Sequence, residues 1–130
     1  MVRAVSTLLA ICYLIFMFIM THLPKRQVPK TLQLTSDKTL HFLAFFFLGV
    51  FASLALQVRF GNRGWVAYAL ATVGLGILYA CFDEITQPLV GRHFDLIDIL
   101  YDVLGLCAGV LVFQMGRPLM HKITGIEELR

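Results

Sequence analysis

Five carboxylates, Asp83, Glu84, Asp95, Asp98 and Asp102, crowd one short stretch of the chain, with Arg92 among them. Acids at this density suit a hard divalent cation, and a histidine added to them admits zinc or manganese. Their spacing is helical. Asp95, Asp98 and Asp102 recur at i, i+3 and i+7, one face of a helix, and Asp83 and Gln87 stand four residues apart, as do Ala80 and Glu84. Upstream, Asp37 and His41 repeat the four-residue spacing with Lys38 beside them. The counter-charges are Lys38 and Arg92, helped by His41 and His93; Arg92 can bridge two carboxylates through its planar fork. A coupled trio of Glu84, Arg92 and Asp98 is therefore expected. Two permanent bases do not balance these acids, so a divalent cation, a proton retained on a carboxyl such as Asp102, or Lys25, Arg26 and Lys30 must compensate.

The elements that must position these groups are apolar. Of 130 residues, 58% are hydrophobic and only 15% charged, where soluble domains carry about 45–50% and about 25%; the mean hydropathy is +0.79. These values predict a membrane protein, all-α, built as an antiparallel bundle of four transmembrane helices in a single domain over residues 1–130. Four stretches approach the roughly 20 residues that a spanning helix needs: about 4–23, 40–58, 65–82 and 96–115, followed by a short polar tail, 116–130. The first has no small-residue cleavage site and is read as a retained span. Pro24 and Pro29 interrupt the first connection, "RFGNRG" makes a tight second turn, and "PLVGRHF" closes a helical hairpin between the last two spans.

Four antiparallel spans place both termini on one side and the first and third connections on the other. Six of the chain's eight acidic residues then gather at one rim. Basic residues near the spans set orientation, but six on the terminal side against five opposite decide nothing. Gly105 and Gly109 continue the Asp98–Asp102 stripe as a GxxxG pair that lets helices approach closely, and Gly76 lies a turn or two below Glu84. Cys12, Cys81 and Cys107 lack paired spacing and read as small buried hydrophobes; His22 and His121 read as interfacial. Net charge is only +3 and no basic patch carries interleaved aromatics, so nucleic acid is not an expected partner.

The constellation admits three chemistries. Ion pairs and hydrogen bonds can simply fix polar helix ends, a polar headgroup or ion can bind, or a catalytic centre can form. A catalytic centre would be a metal-assisted hydrolase or transferase acting on an anionic lipid, with Glu84 or His41 as general base, since no serine or cysteine nucleophile stands beside the cluster. A proton- or ion-coupled carrier would need a homo-oligomer to enclose a pathway.

The same residues carry a family resemblance. "SDKTLHFLAFFFLGV" followed by "DEITQPLVGRHFDLIDILYDVLGLCAG" closely resembles the VanZ-like family of small bacterial membrane proteins, over roughly residues 36–112. The matching positions are Asp37, Lys38, His41 and Phe42; Asp83, Glu84 and Gln87; Arg92; and Asp98, Gly105 and Gly109. Two positions depart: Asp102 stands where the family commonly has Asn, and Phe45 offers no hydroxyl where an aromatic hydroxyl often follows the histidine. The resemblance implies a multi-pass protein of the bacterial cell membrane linked to the cell envelope, with a family association to resistance against the glycopeptide antibiotic teicoplanin. It implies no reaction. Residues and resemblance together lead to an acidic interfacial site of Asp37, Lys38, His41, Asp83, Glu84, Gln87, Arg92, Asp98 and Asp102. The expected partner is a membrane lipid, a lipid-linked or anionic envelope precursor, or an ion, with a divalent cation the one cofactor suggested. In that reading Arg92, Lys38 and His41 hold phosphate or carboxylate groups while the acids orient these bases or hold the cation.

Overall fold

Val2–Thr21 forms α1, Asp37–Phe60 α2, Trp65–Thr86 α3 and Leu96–Thr124 α4, with a 3-10 turn over Gln87–Val90 before α4. The computed structural model describes residues 1–24, 27–28, 36–60 and 64–126, and these contain no strand. All four helices are long and apolar enough to cross a membrane, and the chain is a multi-pass, all-α membrane protein. Large apolar side chains such as Leu8, Ile15, Leu70, Leu78, Leu104 and Leu111 stand outward on every helix. Such a surface would drive association in water and matches the hydrocarbon of a bilayer.

Lipid offers apolar side chains no advantage for burying against each other, so helix pairing here depends on close contact. The tightest pair is α2 with α4. A methyl group added at Gly105 would strike the Phe42 carbonyl, and one at Gly109 the Phe46 carbonyl; Gly49 answers from α2 against the Leu106 carbonyl. The expected role of Gly105 and Gly109 is thus met. Gly49 was legible as the first residue of a small-x-x-x-small pair with Ser53 but was not singled out. Gly76 lets Leu106 pack against α3. α1 lies against α2, where the Tyr13 hydroxyl donates to the Ala44 carbonyl at 2.8 Å. Met17, Phe45, Leu48, Ala80 and Leu106 form the core that joins all four helices.

Helix ends depart from the apolar stretches, and the departures build the site. α2 starts at Asp37 rather than near residue 40, with an acid in its first turn where the N-terminal dipole favours one. α3 continues past residue 82 to Thr86, so Asp83 and Glu84 are helical and buried; Pro88 follows in the 3-10 turn, and Gly91 closes that turn at φ +77°. Asp95 caps α4 in extended conformation, its side chain accepting from the Ile97 N–H. The expected tail beginning at residue 116 is instead helix as far as Thr124, with Pro118 inside it. A proline removes one intrahelical bond, which membrane helices tolerate when neighbouring groups compensate. At 29 residues, α4 is roughly 43 Å long by its rise per residue, longer than a hydrocarbon core of about 30 Å. The three cysteines are free and none is buried as expected: Cys12 is exposed and Cys81 and Cys107 are half-buried; at the lipid surface of a bundle this small, a thiol is as well accommodated as in the core.

Candidate functional site

The end of α1, the start of α2, the end of α3 and the start of α4 meet at one rim, as the antiparallel order requires. His41 is its centre. This side chain is 4% exposed, and its Nδ1 lies 2.9 Å from Asp102 Oδ1. With a carboxylate as acceptor, Nδ1 carries the proton. Nε2 faces the other way, 3.8 Å from both Glu84 Oε1 and Asp98 Oδ2.

Each surrounding carboxylate is tied to a different helix. Lys38 Nζ donates to Asp98 Oδ1 at 3.0 Å and to Asp95 Oδ2 at 3.1 Å. The Asp95 backbone N–H donates to Glu84 Oε2 at 3.0 Å, and Gln87 Nε2 donates to Glu84 Oε1 at 2.8 Å and to Asp83 Oδ2 at 3.1 Å. Asp83 Oδ1 accepts from the Thr21 hydroxyl at 2.7 Å. Asp83, Glu84 and Asp102 are fully buried. The Ile97 N–H, and then Lys38, hold the Asp95 carboxyl below the usual carboxylate range.

All nine residues read from the sequence as a site reach this rim, in a different pairing from the one expected. Arg92 does not bridge Glu84 and Asp98: its Nη2 donates to Asp37 Oδ1 at 3.1 Å. Lys38, not Arg92, holds Asp98. The short 3-10 turn and Gly91 carry Arg92 over the rim toward α2, because the chain must reverse before Asp95 can cap α4. Asp95 leaves the i, i+3, i+7 stripe for the same reason, and only Asp98 and Asp102 share the helical face. Asp102 meets His41 Nδ1 through Oδ1, and its Oδ2 is buried without a partner among the described residues. Lys25, Arg26 and Lys30 lie outside the described residues.

Sequence reasoning missed the contribution of α1. His22 was read as merely interfacial, yet its Nε2 hydrogen-bonds the Thr86 hydroxyl at 2.9 Å and its Nδ1 sits 3.7 Å from Asp83 Oδ1. The available signal was parity, which sends Thr21 and His22 to the same rim as Asp83.

A cleft of about 580 Å³ opens beside this cluster, between α1 and α2. Thr21, Asp37, His41 and Arg92 line its polar end, and Tyr13, Phe16, Met20, Leu43, Phe45 and Phe47 line the part that runs along the two helices. Polar groups at one end and aromatic and aliphatic side chains below make an amphipathic receptacle. The arrangement can bind charge at its head, orient an imidazole nitrogen toward it, and hold an apolar chain alongside.

A family model described as VanZ/LLP1 matches residues 9–117. The chain belongs to the VanZ-like family. The match takes in α1 as well as the stretch that carries the motif resemblance, so the helix that supplies Thr21 and the wall of the cleft is part of the VanZ-like unit. No curated protein and no solved structure matches the chain significantly.

Proposed function

We propose that this VanZ-like protein binds a membrane amphiphile in the cleft between α1 and α2, as an integral component of the bacterial cell envelope. A phosphate of a lipid or lipid-linked envelope precursor meets Arg92 and His41, an ammonium or hydroxyl meets Asp37, and the apolar chain lies along Phe16, Leu43 and Phe47. The observation that carries this reading is the continuity of the cleft, whose charged end and apolar wall match the two halves of a lipid. Lys38 is bonded to Asp95 and Asp98 and orders the acids, whereas Arg92, paired with Asp37, lines the cleft together with it. An association with teicoplanin resistance would act through this envelope ligand, with both termini in the cytoplasm and the acidic rim outside. Reporter fusions after Arg63 and Arg130 should both read cytoplasmic; an external signal from either reverses the orientation.

Native mass spectrometry of protein extracted in mild detergent tests the binding. One co-purifying amphiphile per chain is expected, depleted several-fold by Leu43→Trp, which fills the apolar wall, and by Arg92→Gln. Equal lipid occupancy in both variants and in wild type would refute a cleft-bound ligand. The His41–Asp102 pair also has the form of a general base, and this favours a second reading, headgroup hydrolysis or transfer. Incubation of the recovered amphiphile with protein separates the two: binding leaves it intact, and catalysis releases the headgroup.

A further inference from the structure

The seam between α1 and α2 opens a second time, at the end of the bundle opposite the acidic rim. A cleft of about 530 Å³ there is lined by Arg3, Ala4, Thr7, Leu8 and Ile11 from α1 and by Arg59 from α2. One arginine stands near the first residue of α1 and the other near the last of α2, so antiparallel order brings them to one place. Along α1 the lining turns from charged to apolar. Ala4, Leu8 and Ile11 recur at i, i+4 and i+7, one helical face, and Ile11 lies about 12 Å from Arg3 by helical rise. Leu8 and Ile11 are 61% and 49% exposed, so this face is free to meet an acyl chain.

The level in the membrane fits as well. The 20 residues of α1 span about 30 Å, the thickness of a hydrocarbon core, which puts Arg3 at the headgroup layer. Long basic side chains near helix ends keep their charge in that layer. Arg59 lies beside the Phe60 ring, 6.0 Å from its centroid, and no carboxylate pairs with it among the described residues. In sequence this side of the bundle carries six bases against two acids, Glu127 and Glu128, whereas the other six acids gather at the rim. The Thr7 hydroxyl donates to the Arg3 carbonyl at 2.8 Å, which leaves the two guanidinium groups as the donors toward a ligand.

We propose that this cleft binds one anionic phospholipid from the leaflet on the side of the termini, with its phosphate between Arg3 and Arg59 and an acyl chain along Leu8 and Ile11. Guanidinium matches phosphate in a planar fork, and basic pockets between membrane helices bind acidic headgroups. Charge complementarity sets the class of lipid. No acid lines the cleft, so the amine of a zwitterionic headgroup finds no partner, whereas a headgroup with net negative charge is answered by both arginines. The rim-side cleft differs in this respect, since Asp37 lines it beside Arg92. The proposal does not depend on a ligand at the rim.

Two exposed arginines hold an exchangeable lipid, so binding is read by titration. Full-length protein carrying Leu43→Trp, which fills the rim-side cleft, is delipidated in mild detergent. It is then titrated with phosphatidylglycerol or with phosphatidylcholine of the same acyl chains, and native mass spectrometry counts the bound lipid. One phosphatidylglycerol per chain should bind saturably, about tenfold more tightly than phosphatidylcholine, whose ammonium cancels the phosphate charge. Arg3→Gln and Arg59→Gln should each weaken it about fivefold, the usual contribution of one basic residue at an anionic surface, and together about 25-fold. Ala4→Trp, which fills the cleft and keeps both arginines, should weaken binding several-fold. Lys122→Gln, on the same side but outside the cleft, should leave it unchanged. Equal affinity for the two lipids, unchanged binding in the double arginine variant or in Ala4→Trp, or a loss in Lys122→Gln as large as in Arg59→Gln would each overturn the site. Arg3, Ala4, Arg59 and Lys122 are all exposed, so these variants keep the fold. With Leu43 restored, the double arginine variant should retain the amphiphile at the rim, so the two readings fail separately.

Discussion

The two ends of the bundle handle buried polarity differently. At the acidic rim, charged groups from α2, α3 and α4 meet and depend on one another across helix boundaries. At the opposite end, α2, α3 and α4 meet through mostly neutral groups: the Arg117 Nη1 donates to the Tyr68 hydroxyl at 2.9 Å and to Gln57 Oε1 at 3.5 Å, and Tyr68 donates to Gln114 Oε1 at 3.1 Å. No carboxylate joins Arg117 among the described residues. This end shows what polar packing of membrane helices needs, a few amides, a phenol and one long base. The rim carries several carboxylates beyond that requirement. Hydrogen bonds between helices in lipid contribute only about 0.6 kcal/mol on average, so packing alone does not account for four buried acids. Their excess is what points to a ligand.

Removing a base from the rim should have the largest effect. His41→Phe keeps the approximate volume but leaves Asp102 without its one hydrogen-bond partner. A stranded buried charge costs roughly 3–5 kcal/mol, and Asp102→Leu in the same protein should recover much of the loss. Denaturant unfolding in detergent measures both. A loss below about 1.5 kcal/mol for His41→Phe would place the rim in the same energetic class as the opposite end. Arg117→Gln at that end should cost about 1.5–3 kcal/mol, because charge-assisted bonds are lost but no buried charge is stranded. If Arg117→Gln proves as damaging as His41→Phe, the contrast between the two ends fails.

The bundle was legible because its signals are dense: four long apolar stretches, short connections, and glycines on the same face as Asp98 and Asp102. The rim was legible because antiparallel order fixes which helix ends meet. The pairing within it was not. Spacing says that Asp95, Asp98 and Asp102 can share a face, but the side chain of Asp95 caps α4, and that choice is made by where the turn before it ends. Lys38 and Arg92 are interchangeable as counter-charges on paper; the reversal at Gly91 sends Arg92 to Asp37 and leaves Asp98 to Lys38. The extension of α4 through Pro118 was hidden because a proline after glycine reads as a stop. The cleft could not be read from sequence at all, since it exists only between the faces of α1 and α2.

That revised pairing is itself testable. A double-mutant cycle on Glu84→Gln and Arg92→Gln should be additive within about 0.3–0.5 kcal/mol, as for sites that share no contact. The cycle on Asp37→Asn and Arg92→Gln should show a coupling of about 0.2–1 kcal/mol, the range of exposed ion pairs, since Asp37 is 48% exposed. A larger coupling of Arg92 to Glu84 than to Asp37 would restore the trio expected from the sequence.

The smallest effect belongs to the residue at the bottom of the rim. Asp102 accepts one hydrogen bond, from His41 Nδ1 to its Oδ1, and its Oδ2 has no partner. In Asp102→Asn the amide oxygen can accept the same proton, and the amide nitrogen takes the place of an oxygen that was already unpartnered. The new donor gains nothing there, but one negative charge leaves a cluster that also holds Asp83, Glu84 and Asp98. The two changes oppose each other, and stability should move by less than about 1 kcal/mol, the centre of the range for single substitutions. Denaturant unfolding of the variant in detergent measures the change. A loss of several kcal/mol would mean that the negative charge of Asp102, rather than its hydrogen bond, holds His41 in place, and that the acidic end is built more like a buried ion pair than like a ligand site.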